Sequence, residues 1–148
     1  MDRLRRAIGA LTAPAGYARL RMAAIGAAIA VGGLDAWFFR NWNLNPDGVS
    51  YLDVARAFAA HGPAALVSGY WSPLYPASIG VALKLLHPGA ETMYPVVRLI
   101  SFLIYIACVF SFDRLTQTIL PAPPATSDWR APVALATAWA LLLSPVVE

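Results

Sequence analysis

Charge is what this 148-residue chain has least of. Asp, Glu, Lys and Arg together make up 13% of it, against roughly a quarter in ordinary globular domains. With 59% hydrophobic residues, too little polar surface is left to cover a soluble core of this size. The chain therefore needs lipid as part of its solvent. Cysteine is limited to Cys108, inside an apolar stretch, which excludes a disulfide within the chain and any metal site built on thiolates. Cys108 reads as a small buried apolar residue. The two histidines, His61 and His87, have no second ligand at metal spacing, so no metal is expected. A glycine-rich phosphate loop and a Ser-His-Asp arrangement are both missing, and no internal repeat is visible.

What charge there is stands in telling places. Arg3, Arg5, Arg6, Arg19 and Arg21 precede the first long apolar run, against one acid, Asp2. Clustered cations serve nucleic acid or membrane surfaces. Beside an apolar segment they hold that end in the cytoplasm, so a membrane partner is expected and a nucleic acid is not. Residues 1–21 read as a basic cytoplasmic tail and 22–148 as a membrane domain. The apolar run starts too late and is too long for a cleaved leader, which gives an uncleaved first span over 22–39. Its one charge, Asp35, lies near the outer end. Trp37, Phe38, Phe39, Arg40 and Trp42 form an interfacial belt around it.

Further apolar runs at 72–86, 95–112 and 131–147 predict an all-α integral membrane protein of about four transmembrane helices. Strict alternation from a cytoplasmic amino terminus in the plasma membrane puts 40–71 outside, 87–94 inside and 113–130 outside. Lys84 then snorkels to the cytoplasmic interface, and Arg98 reads as an anchor able to meet a lipid phosphate. Gly26, Gly32 and Gly33 read as allowing close helix packing.

The outer loop holds a helix of its own over 46–61. Asn45 supplies a cap, Pro46 opens the first turn and Asp47 suits the positive end of the helix dipole. Leu52, Ala55 and Ala59 share one face, and His61-Gly62-Pro63 ends the helix. Too short to span and amphipathic, it is placed on the outer membrane surface. This loop gathers Asp47, Tyr51, Asp53 and Arg56, followed by Tyr70, Trp71 and Tyr75. A carboxylate at a helix start can act as a general base toward a hydroxyl, and aromatics beside it suit a sugar face or a lipid headgroup. The same residues also have a structural reading, with Asp47 as cap, Asp53 paired to Arg56 and the aromatics as anchors.

The run Asn45-Pro46-Asp47-Gly48-Val49-Ser50-Tyr51-Leu52-Asp53-Val54-Ala55, followed by Gly69-Tyr70-Trp71-Ser72-Pro73-Leu74-Tyr75-Pro76, resembles the start of GT-C class membrane glycosyltransferases. The nearest branch includes the dolichyl-phosphate-mannose protein mannosyltransferases, the aminoarabinose transferases and the rhizobial lipopolysaccharide galacturonosyltransferases. In that class a first span leads to an outer loop with an acid and juxtamembrane helices, and a stretch with proline and aromatics opens the second span.

The resemblance implies transfer of a sugar from a polyprenyl phosphate to a glycan, lipid or protein acceptor, with inversion and without a nucleotide or metal cofactor. Asp47 would activate the acceptor, Asp53 would orient it, and Tyr51, Trp71 and Tyr75, with Arg56 and Tyr70, would bind substrate. Many relatives carry Asp-Glu where this chain has Asp47-Gly48, and they have many more spans, so the chain resembles the amino-terminal part of such an enzyme. The other class of function is a non-enzymatic membrane protein, an accessory subunit or an inactive truncation.

Overall fold

The computed structural model describes residues 14–42, 44–67, 69–119, 134–136 and 139. These are helical or lie in turns and connections, and no strand occurs among them. The helices are α1 (Pro14–Phe38), α2 (Pro46–His61), α3 (Leu74–Leu86) and α4 (Met93–Ile119), with 3-10 turns at Pro63–Leu66 and Ala90–Thr92. At 1.5 Å per residue α1 and α4 are about 37 and 40 Å long, more than the roughly 30 Å of a hydrocarbon core. Only 17% and 11% of their apolar windows are buried within the protein. Side chains such as Leu34, Phe38, Leu103 and Phe110 face outward instead, an apolar surface that water tolerates poorly. Two helices are thus long and apolar enough to cross a membrane.

Several expected boundaries move. Helix α1 already includes Arg19 and Arg21 of the expected tail, because Pro14 occupies its first turn, where a missing N–H does no harm. Helix α4 continues through Asp113 to Ile119, taking in the first part of the expected 113–130 connection. The expected span 72–86 is α3, whose 13 residues cover only about 20 Å. Of the expected span 131–147, residues 134–136 and 139 are helical, and the rest lies outside the described residues, as do tail residues 1–13. Cys108, expected to be buried, is exposed on α4.

The chain divides into two compact units, residues 1–35 with 105–148, and residues 36–104. In the first, Tyr17, Ile25, Ala28, Val109, Leu135 and Trp139 are buried together. The Phe112 and Trp139 rings meet edge to face at 5.2 Å. A Cβ on Gly32 would come within 2.8 Å of Tyr105 Cδ1, so the glycine makes the groove in which that ring lies. The Tyr105 hydroxyl donates to the Ala28 carbonyl at 3.1 Å. Eight residues further along α4, Arg21 grips Asp113 with two hydrogen bonds of 2.6 and 2.8 Å.

Residue numbers thus fall along α1 as they rise along α4, and the two run antiparallel. Alternation through four spans would make these helices parallel and put Arg21 and Asp113 on opposite faces of the membrane. Their ion pair and the antiparallel pairing do not fit that order.

In the second unit α2 packs on α3. Leu52, Ala55, Ile79, Leu83 and Val97 form the core, with Ala59, Tyr75 and Met93 against it. Gly80 lets the two helices approach closely: a Cβ there would strike the Phe58 ring and lie 2.8 Å from the Ala55 carbonyl oxygen. One face of α3 is buried through Pro76, Ile79, Gly80 and Leu83. Leu74, Val81 and Leu85, spaced by seven and four along the opposite face, stand exposed.

Candidate functional site

The site is built at the start of α2. Asn45 is the cap, in extended backbone, its Oδ1 accepting the Gly48 N–H at 2.7 Å. Pro46 follows at the first turn. The cap is therefore Asn45 and the carboxylate of Asp47 is free of that duty. Asp47 is exposed and takes no hydrogen bond or ion pair from the described residues. Gly48 has a steric reason: a Cβ there would lie 3.0 Å from the cap oxygen and 3.0 Å from Leu44 Cβ. A larger side chain at this place crowds the turn that presents Asp47.

Four residues on, one helical turn along the same face, comes Tyr51. Asp47 and Tyr51 line a cleft of about 430 Å³ with Leu44, Asn45, Gly48, Tyr75 and Arg98. Tyr75 reaches it from the first turn of α3 and Arg98 from the second turn of α4. Arg98 is half-buried, and its Nε is sealed from solvent with no hydrogen-bond partner among the described residues. A buried guanidinium nitrogen without a partner is costly, so the cleft offers an anion a ready place. Arg98 is the one charged residue in the apolar stretch 93–112 of α4, and a charge so placed is itself a functional signal.

Aromatic rings wall the cleft. Tyr51 meets Tyr75 at 5.2 Å and Trp71 at 4.7 Å, both edge to face, and Tyr70 meets Trp71 at 4.7 Å. Such pairs add about 0.5–1.5 kcal/mol each beyond burial, enough to hold the rings in one arrangement. Ser101 donates its hydroxyl to the Val97 carbonyl at 3.0 Å. Its oxygen, 2.8 Å from the Tyr75 hydroxyl, then serves as acceptor, so Tyr75 donates and is locked in place.

Of the expected residues, Asp47, Tyr51 and Tyr75 come together in the cleft; Trp71 and Tyr70 do not line it, Trp71 packing on the Tyr51 ring and Tyr70 on Trp71. Asp53 and Arg56 do not line it. They pair with each other at 3.4 Å, both more than half exposed, and Arg56 Nη2 also lies 2.8 Å from Met93 Sδ. Among the described residues, no group of three or more His, Cys, Asp or Glu side chains gathers. No protein-family model, curated protein or solved structure matches the chain.

Proposed function

We propose that the chain is a membrane glycosyltransferase, or the amino-terminal part of one, that moves a sugar from a polyprenyl-phosphate donor to an extracytoplasmic acceptor. The observation that carries this reading is the cleft itself, which holds a carboxylate without a partner and a guanidinium with a buried, unpaired nitrogen between aromatic walls. Sugar transfer from a phosphate needs these parts. The acceptor hydroxyl gives its proton to Asp47 as its oxygen attacks the anomeric carbon. The bond from that carbon to the phosphate oxygen breaks, and the polyprenyl phosphate leaves with the electron pair. Arg98 holds the phosphate as charge builds on it. Attack opposite the leaving group inverts the anomeric configuration. Tyr51, Tyr75 and Trp71 supply faces for the sugar ring and fix the distance between carboxylate and carbon.

The arrangement of helices supports the same reading. The resemblance implies an outer loop with juxtamembrane helices, and α2 and α3 are two short helices between two long ones. The proline-aromatic stretch opens α3 here, whereas in the class it opens the second span. Orientation in the plasma membrane follows the basic amino terminus, which stays in the cytoplasm and leaves the cleft outside.

The test is transfer by membranes carrying the chain, supplied with polyprenyl-phosphate sugars from the same cells. Asp47→Asn keeps the cap on Asn45 and the fold, and transfer falls by at least about 100-fold, the lower range for a catalytic acid-base group. Unchanged transfer takes Asp47 out of the mechanism. No transfer by the unaltered chain favours the accessory-subunit reading, in which Asp47 serves only the helix dipole.

A further inference from the structure

A second cleft lies at the other end of α2, and nothing in the transfer reaction uses it. Its volume is about 440 Å³, and it is lined by Arg56, Ala59, Ala60, Leu83, Lys84, His87, Pro88 and Met93. Two permanent cations face it and none of these lining residues is acidic. Arg56 comes from the third turn of α2 and Lys84 from the last turn of α3. His87 follows at the helix end, in the left-handed region at φ 45° that a side chain rarely adopts, its N–H capping the Leu83 carbonyl. The Asp53 carboxylate sits 3.4 Å from Arg56 and is more than half exposed. An exposed pair of that length holds its partners weakly, and the guanidinium remains available.

The surroundings state which anion fits. Leu85 and Leu86, next to Lys84, are 74% and 59% exposed. With Leu74 and Val81 they give α3 an apolar outer face that no described residue covers. The cleft thus places two cations at the rim of an apolar surface, the pattern of a headgroup bound above its own acyl chains. It is also within the roughly 300–1,000 Å³ of sites for small organic molecules, far more room than a bare phosphate fills.

We infer that the Arg56–Lys84 cleft binds the phosphate of an anionic phospholipid, whose chains run along the outer face of α3. This seats the α2–α3 pair on the bilayer and sets the height of the Asp47 end of α2 above it. The inference rests on the reading of α1 and α4 as spans but is independent of the glycosyl-transfer chemistry.

The experiment titrates the whole purified chain in detergent with phosphatidylglycerol or phosphatidylcholine and counts lipid adducts by native mass spectrometry. One phosphatidylglycerol is retained by the unaltered chain in preference to phosphatidylcholine. Each surface cation contributes about a fivefold factor, so R56Q/K84Q weakens retention on the order of 20-fold, while R114Q, which removes an exposed cation of α4 outside the cleft, leaves it unchanged. Ala60→Glu removes no native contact and puts a carboxylate at the mouth; it also expels the lipid. Retention by R56Q/K84Q and by Ala60→Glu, or equal loss in R114Q, overturns the site. Displacement by millimolar inorganic phosphate with no preference between the two lipids overturns the lipid assignment in favour of a free anion.

Discussion

Arg21 and Asp113, 92 positions apart in the chain, are joined by two parallel hydrogen bonds, Nε to Oδ1 at 2.6 Å and Nη2 to Oδ2 at 2.8 Å. Asp113 is buried, and Gln117 gives its carboxylate a further donor at 2.8 Å. Breaking a buried pair by removing one partner costs about 3–5 kcal/mol; with Arg21 30% exposed the lower end applies. Asp113→Ala is therefore expected to lower the thermal midpoint in detergent clearly, and the swapped double variant R21D/D113R to recover much of the loss. Equal midpoints for Asp113→Ala and the unaltered chain would show that the pair does not hold α1 to α4.

With α1 and α4 read as spans, the same pair gives an expected order of sides. In a Cys108→Ser background, single cysteines at Asn41 and Glu91 are expected to react with a membrane-impermeant maleimide in intact cells. A cysteine at Arg114 is expected to react only after permeabilisation. Protection of Glu91→Cys with labelling of Arg114→Cys restores the four-span alternation.

Gly80 lets α3 lie against α2, its Cα facing the Ala55 carbonyl and the Phe58 ring. Gly80→Val forces the two helices apart, and overpacking of this kind costs about 1–3 kcal/mol. Gly26 has open space at its Cβ position, so Gly26→Val is the matched control. Thermal unfolding of the two variants in the same detergent checks this, and equal midpoints contradict the packing described.

The limits of α2, Pro46–His61, follow from Asn45-Pro46 at one end and Gly62-Pro63 at the other, where cap, ring and positive φ leave the backbone little choice. The i, i+4 spacing of Asp47 and Tyr51 puts them on one face. Helix α3 was legible as apolar but not as a helix of only 13 residues. One face meets α2 while Leu74, Val81 and Leu85 on the other stay exposed, and hydropathy does not separate that from a short span. Arg98 belongs to the cleft through tertiary contact alone. The antiparallel order rests on Arg21 and Asp113, whose meeting no local pattern encodes.

Arg98 is expected to act on the donor more than on the acceptor. Arg98→Lys keeps the charge but loses the planar fork that matches a phosphate, so it should raise the donor concentration needed for half-maximal transfer. Arg98→Gln should lower the maximal rate as well. The dependence of rate on donor and on acceptor separates these outcomes, and a change confined to the acceptor would contradict the assignment.

The central claim, that Asp47 and not Asp53 does the chemistry, is tested most directly by the donor pool. Asp47→Asn and Asp53→Asn are expressed in place of the unaltered chain, and polyprenyl-phosphate sugars and envelope glycans are weighed by mass spectrometry. The account predicts that Asp47→Asn accumulates one lipid-linked sugar and loses one glycan species of matching mass, while Asp53→Asn matches the unaltered chain. Accumulation in Asp53→Asn with a normal pool in Asp47→Asn would contradict it.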